Sequence, residues 1–288
     1  MVKATKWITS DFILLNQMLG GGIPVGHIIE VFGFEGCGKT TFALELSKLF
    51  KKPYMIDYEY ALDKTYMDLL GVKLAKATQP VTFEEGVDNF FRALKKHKFD
   101  CLIVDTIGSA ISEAEIEKEL KENTMGIRAQ KVTVFCKKAE KICKPLGITV
   151  ILLNHKKDRI GGGFGDKYYT PGGRQIKFSA SIRLSVTKKK CKDFPDDGII
   201  MNIWTKKNKV AQNIPFQNCK YVIRRGMGII RGEETMRLGI EAGVIKIDKQ
   251  MYKIGSKSFR GKAKLIDFLN SEERVRAAIN DKWTSKTN

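Results

Sequence analysis

Eight residues, Gly33-Phe34-Glu35-Gly36-Cys37-Gly38-Lys39-Thr40, spell G-x-x-x-x-G-K-T between an apolar run over 27–32 and a helical pattern over 40–50. The chemistry open to such a segment is phosphate binding. Its glycines let the backbone turn tightly, so successive N–H groups converge on an anion at a helix N-terminus. Lys39 adds a point charge for the terminal phosphates, and the Thr40 hydroxyl is placed to ligate Mg²⁺. A glycine-rich turn with a merely solvated lysine is the blander alternative. The strand before and the helix after the motif favour the phosphate loop, and so a nucleoside triphosphate as ligand.

Two further runs end in carboxylates. Cys101-Leu102-Ile103-Val104-Asp105 is an apolar strand closing on an aspartate, the pattern that holds Mg²⁺ beside a phosphate loop. Alone, Asp105 could equally close the strand as a turn residue. Pro53-Tyr54-Met55-Ile56-Asp57-Tyr58-Glu59 is a second strand with an acidic exit. Hydrolysis needs a group that orients or deprotonates water near the γ-phosphate, and Glu59 suits that role as well as that of a solvated loop residue.

The 51 lysines and arginines exceed the 32 acidic residues, for a formal charge of +19. Such an excess favours polyanionic partners, nucleic acid first. No apolar run approaches a membrane span and the N-terminus lacks a signal-peptide core, so a cytoplasmic setting, in a bacterial cytosol or a phage-infected cell, is expected. The six cysteines show no C-x-x-C spacing, which disfavours zinc, and a disulfide framework is not expected in that compartment. Cys101, Cys136 and Cys143 read as small core residues. Cys37 differs. Beside Lys39 and inside a ring of N–H donors, it is expected to carry thiolate character and to react with thiol reagents unless nucleotide protects it.

Strand-like runs at 28–32, 53–57, 101–105, 148–154 and 182–186 alternate with helical patterns at 41–50, 62–70, 83–96 and 127–144. This predicts an α/β fold with a mostly parallel twisted sheet covered on both faces. Thr82 and Glu85 stand in capping-box spacing at the third helix. Runs at 199–205 and 221–224 read as strands added at the sheet edge. Residues 1–227 form the expected core, and 228–288, shorter and mixed, a small α+β domain ending in a charged helix over 271–282. Two stretches resist assignment: 119–125 is polar, and 158–173 holds six glycines. Long structureless loops in a compact domain are usually functional. In and beside the second, Lys156, Lys157, Arg159, Lys167 and Arg174 can neutralise phosphate, and Tyr168 and Tyr169 offer stacking faces; a mobile lid is the alternative.

Together these motifs resemble the RecA-type recombinases over nearly the whole chain. The resemblance implies a RecA-like P-loop NTPase core that uses ATP and Mg²⁺. It implies nucleotide contacts from Gly33, Glu35, Gly36, Cys37, Gly38, Lys39, Thr40 and Thr41, and metal ligation through Thr40 and Asp105. Phe34 and Cys37 stand where bacterial members usually carry proline and serine. Glu59 becomes the catalytic base, and Asp63 and Tyr66 match positions that contact adenine. Lys207 and Lys209, otherwise readable as part of a solvated charge run, match paired lysines that reach the neighbouring subunit's ATP. Residues 119–127 and 156–173 resemble the two DNA-binding loops. DNA contacts are thereby implied for Met125, Gly126, Arg128, Lys137, Lys157, Arg159, Ile160, Phe164, Gly172, Gly173 and Arg174.

The chain also departs from the family pattern. His155 replaces the glutamine that links the γ-phosphate to the second loop. A histidine can change charge near neutrality where glutamine cannot, so a pH-dependent link is expected. Gln130 occupies the usual arginine position of the first loop, with Arg128 nearby. The core pattern already begins at Trp7-Ile8-Thr9-Ser10, and the family's N-terminal docking helix and acidic tail have no counterpart, so a compact, phage-like version is expected. The function implied is a DNA-dependent ATPase that forms a filament on single-stranded DNA and pairs it with double-stranded DNA in strand exchange. A non-filamentous mediator ATPase and a hexameric DNA motor are the alternatives.

Overall fold

The structure is a computed structural model that describes residues 4–117, 126–159, 167–211 and 217–287. A ribbon of β1 (Trp7–Ile8) and β2 (Ile23–Pro24) brackets α1 (Ile13–Leu19). The alternation then runs β3 (Ile28–Gly33), α2 (Lys39–Ser47), β4 (Pro53–Asp57), α3 (Lys64–Leu70), β5 (Lys76–Thr78), α4 (Phe83–Leu94) and β6 (Cys101–Asp105). After α5 (Glu113–Glu117) and α6 (Ile127–Lys138) come β7 (Thr149–His155), a second ribbon of β8 (Lys157–Asp158) and β9 (Tyr168–Tyr169), and α7 (Gln175–Ser179). Next are β10 (Ile182–Lys190), β11 (Gly198–Asn208), β12 (Asn218–Arg224) and β13 (Gly228–Ile230). The C-terminal part is α8 (Gly232–Glu241), a meander of β14 (Ile245–Asp248), β15 (Met251–Ile254) and β16 (Lys257–Arg260), then α9 (Lys262–Ser271) and α10 (Glu273–Thr287).

The main sheet has the order β13-β12-β11-β10-β3-β7-β6-β4-β5. From β10 to β5 the strands are parallel, and β11 to β13 add antiparallel at one edge. Alternate residues of each parallel strand enter opposite cores. Ile29, Val31, Met55, Ile103, Ile151 and Leu153 pack with α1 and α2 on one face. Tyr54, Ile56, Leu102, Val104, Val150 and Leu152 pack with α4 and α6 on the other. That double burial explains why these strands read as unbroken apolar runs.

Local chemistry moved several expected boundaries. The helix expected over 41–50 runs from Lys39 to Ser47, because Gly38 at φ 89° caps it and Ser47 Oγ turns back to the Leu44 carbonyl. The one expected over 62–70 starts at Lys64, since Asp63 accepts the Tyr66 N–H at 2.7 Å. The one expected over 83–96 ends at Leu94. Thr82 caps that helix by accepting from Glu85 N–H, while the Glu85 carboxylate accepts from Val81 N–H rather than from Thr82. The run expected over 127–144 is α-helix to Lys138 and a π-turn over Ala139–Cys143, which keeps both ends of that turn buried. Within the stretch 158–173, the flanks pair as β8 and β9.

The main sheet continues to Ile230, so β13 lies beyond the expected boundary at 227. Past it, α8, α9 and α10 share a third core with Phe194, Val222 and Ile230. The seam is also polar. Arg231 pairs with Asp11 at 2.9 Å and Glu45 of α2 at 2.8 Å, and its guanidinium lies 3.7 Å from the Phe12 ring centre. Glu234 accepts the backbone N–H groups of Ile13 and Leu14, holding the start of α1. Glu45 is buried with Lys48 as its other charged partner. Removing one partner of a buried pair strands the other. Arg231→Ala should therefore lower the unfolding free energy by about 3 kcal/mol in urea titration, and an unchanged midpoint would refute this account of the seam.

Candidate nucleotide and DNA site

The parallel strands end side by side, and those ends carry the chemistry, as expected for the carboxyl edge of an α/β sheet. The register pairs Gly33 with His155 across β3 and β7, and Asp57 with Asp105 across β4 and β6. Gly33 is restricted to glycine by packing: a Cβ there would lie 2.3 Å from the Val186 carbonyl oxygen and 2.8 Å from Cys37 Sγ. Lys39 is buried, with Nζ donating to the Phe34 carbonyl at 3.0 Å and to that of Gly33 at 3.4 Å. Glu35 and Gly36 are exposed on the loop, while Thr41 is buried and shares a 2.8 Å hydrogen bond with the Tyr66 hydroxyl. Tyr66 thus sits against the phosphate-loop helix. Asp63 is exposed and occupied as the cap of α3.

Thr40 Oγ1 donates to Asp105 Oδ2 at 2.7 Å, while Asp105 Oδ1 is buried without a hydrogen-bond partner. Burial, with the carboxylates of Glu59 and Asp57, pushes Asp105 up to about 7 against the opposing pull of Thr40 and Lys39. A hydroxyl and an under-satisfied carboxylate in contact are the donor set of a hard divalent cation, and the residues fit one.

Glu59 follows β4 on a loop ordered by Asp57, which accepts from Glu59 N–H, Leu62 N–H and Gln79 Nε2. Three side chains converge on Glu59 Oε1: Thr106 Oγ1 at 2.9 Å, Ser109 Oγ at 3.1 Å and His155 Nε2 at 2.8 Å. The structure therefore brings Glu59 and His155 together. Thr106 and Ser109 were not singled out from sequence. The signal available was two small hydroxyl residues, Thr106 and Ser109, in the short turn that follows Asp105.

Cys37 overturns its expectation. It is buried, with Sγ tucked under Gly33 at the edge of the core. Desolvation raises its thiol above the ordinary value despite the opposing effect of Lys39, its own and the Lys39 N–H groups, and Lys188. The other five cysteines are buried too. Maleimide labelling of Cys37 in the native, nucleotide-free protein should therefore be slow at neutral pH and speed up on unfolding. Peptide mass spectrometry checks this; rapid native labelling would restore a reactive thiol.

Lys207 and Lys209 lie far from this edge. Lys207 aligns with Arg183, which aligns with Glu30 of β3. Lys209 N–H bonds to the Ser181 carbonyl, and Ser181 N–H to that of Ile28. At about 3.3 Å per residue, Lys209 is roughly 17 Å before the phosphate loop along the strand direction. Lys207 Nζ donates to the Lys177 and Phe178 carbonyls at the end of α7. Burial, then Lys209 and Arg183, lower its pKa.

Of the expected DNA residues, Met125, Ile160 and Phe164 lie outside the described residues. Gly126 is exposed at the start of α6, Lys137 is exposed on that helix, and Lys157, Arg159 and Arg174 are exposed around the β8–β9 ribbon. Arg128 is partly buried. Its guanidinium is tied inward to the Gly108 carbonyl at 2.9 Å and Glu115 at 3.1 Å. Gly172 and Gly173 serve packing as well: Cβ atoms there would meet Ile176 Cδ1 at 2.7 Å and Ala129 Cβ at 3.1 Å. A buried network that sequence reading missed also reaches this loop. Asn154 donates to Glu30 and to the Pro171 carbonyl, and Arg183 pairs with Glu30. Among the described residues, no helix is long and apolar enough to cross a membrane.

Residues 2–230 match the sequence profile described as the RecA N-terminal domain. The chain is 31% identical to Protein RecA of Ruminococcus albus over 90% of this chain and 68% of that protein. It is 32% identical to Protein RecA of Salinispora arenicola, over 99% and 84% respectively, and 33% identical to that of Arthrospira platensis, over 94% and 79%. With the profile spanning most of its length, the chain belongs to the RecA family.

Proposed function

We infer that this chain is a DNA-dependent ATPase that assembles on single-stranded DNA as a filament and promotes pairing and strand exchange with double-stranded DNA. The observation that carries the assembly is the position of Lys207 and Lys209. Lysine side chains placed this far back along the strands do not reach their own phosphate loop, so any nucleotide the pair serves is a neighbour's. One subunit alone then holds an incomplete site, and stacking subunits completes it.

Within the half-site, Lys39 and the loop N–H groups hold the phosphates of ATP, and Tyr66 and Asp63 flank the base. Thr40 and Asp105 would hold Mg²⁺, which when bound supplies charge neutralisation at the phosphates. Glu59, fixed by Thr106 and Ser109, takes the proton of the attacking water. His155 touches Glu59 through Nε2 and precedes Lys156, where the second DNA-binding loop begins. Catalytic base and DNA loop are thus neighbours in the chain's geometry. With DNA as substrate, the protein works in the cytosol.

Electron microscopy with single-stranded DNA and a non-hydrolysable ATP analogue tests the reading. Helical filaments are expected. Closed rings, or particles that stay unassembled on DNA, would overturn it.

A further inference from the structure

Phe34 is partly exposed in the phosphate loop, yet both ends of the residue are engaged. Its carbonyl accepts from Lys39 Nζ at 3.0 Å. Its ring meets that of Tyr168 edge-on, with centroids 5.2 Å apart and planes at 85°. Lys156 closes the group, with Nζ 4.2 Å from the Tyr168 ring centre and 5.4 Å from that of Phe34. Lys156 also donates its backbone N–H to the Gly33 carbonyl at 3.0 Å. Tyr168 belongs to β9, paired with β8 in a ribbon of two residue pairs. So short a ribbon is marginal on its own, and its placement depends on what it touches.

We propose that Phe34 is a positioning residue that passes the nucleotide state of the phosphate loop to the β8–β9 ribbon. A phosphate entering the loop competes for the Lys39 ammonium that sits on the Phe34 carbonyl. When the ammonium turns to the phosphate, the Phe34 peptide loses its donor and the residue shifts. Edge-to-face rings and a cation over a ring are directional contacts. A shift of the Phe34 ring therefore resets Tyr168 and Lys156 with it. Beyond the Phe34 carbonyl this route runs through side chains, alongside the backbone ladder in which Lys156 N–H meets the Gly33 carbonyl. Proline, which the family resemblance places at this position in bacterial members, has no aromatic edge to offer.

The consequence for DNA rests on the function inferred above, and the experiment keeps the two apart. Amide hydrogen exchange at Tyr168 and Tyr169 is followed in overlapping peptides, without DNA, with and without a saturating non-hydrolysable ATP analogue. In the wild type, nucleotide should change exchange there by about fivefold or more. Phe34→Tyr should keep that response, whereas Phe34→Ala and Phe34→Leu should lose most of it, each measured at its own saturating analogue concentration. A full response in Phe34→Ala overturns the proposal, as does a wild-type ribbon indifferent to nucleotide. A full response in Phe34→Leu also overturns it, because plain packing would then suffice. A second arm reads anisotropy of labelled single-stranded DNA. Wild-type protein that fails to bind DNA in the ATP-analogue state removes the recombinase reading and leaves the exchange result to stand on its own.

Discussion

Glu59→Gln should keep nucleotide affinity and lose steady-state ATP hydrolysis by about 10²- to 10⁴-fold, the usual contribution of a positioned general base. Glutamine retains the shape of the side chain and can still accept from Thr106 and Ser109, so the loop geometry survives. What it lacks is the capacity to take a proton. Lys39→Ala should behave in the opposite way and lose binding itself, because Lys39 meets phosphate in the ground state. Fluorescent-nucleotide titration beside an ATPase assay on both variants separates the roles. Normal turnover by Glu59→Gln would remove that residue from the mechanism.

Replacing both Lys207 and Lys209 with alanine should spare ATP binding by isolated subunits and abolish DNA-stimulated hydrolysis. The two lysines stand at the sheet end opposite the phosphate loop, so the loss must appear only where subunits meet. Mixing this variant with Glu59→Gln supplies the decisive comparison. Each variant is defective on one side of the interface alone, and interfaces that join the two intact halves should work. Activity should be near zero for either protein alone and reach a maximum at equal mixing. Lys207 also anchors the end of α7, so urea denaturation must show that the double variant is folded. Failure to recover at any ratio, with assembly confirmed, would place the whole site within one subunit.

The parts of this site that were legible in sequence are those in which residue type and spacing are both constrained. Gly33 to Thr40 and the apolar runs closing on Asp57 and Asp105 were readable because double burial leaves unbroken hydrophobic strands ending in a carboxylate. Less legible were contacts made by common residues after a turn. Thr106 and Ser109 could sit in any loop, and only the sheet order brings them to Glu59. The strand Lys76–Thr78 carries no apolar signal because it is an exposed edge. Cys37 misled because local sequence shows neighbours but not the direction of a side chain; its sulfur faces the core, not the anion cradle. Glu30 offered a signal that was passed over. A carboxylate inside an apolar strand must find a partner, and it finds Arg183 and Asn154.

The seam at Arg231 bears on how the molecule comes apart. A fragment ending at residue 230 would lose the cation that holds Glu45 and the carboxylate that caps α1 through Ile13 and Leu14. Glu45 lies on the same helix that begins at Lys39, one face of which packs on the sheet. Excising the C-terminal part would therefore loosen the helix that receives the phosphates. The two parts should melt in a single transition, and bound nucleotide should stiffen the C-terminal helices that never touch it.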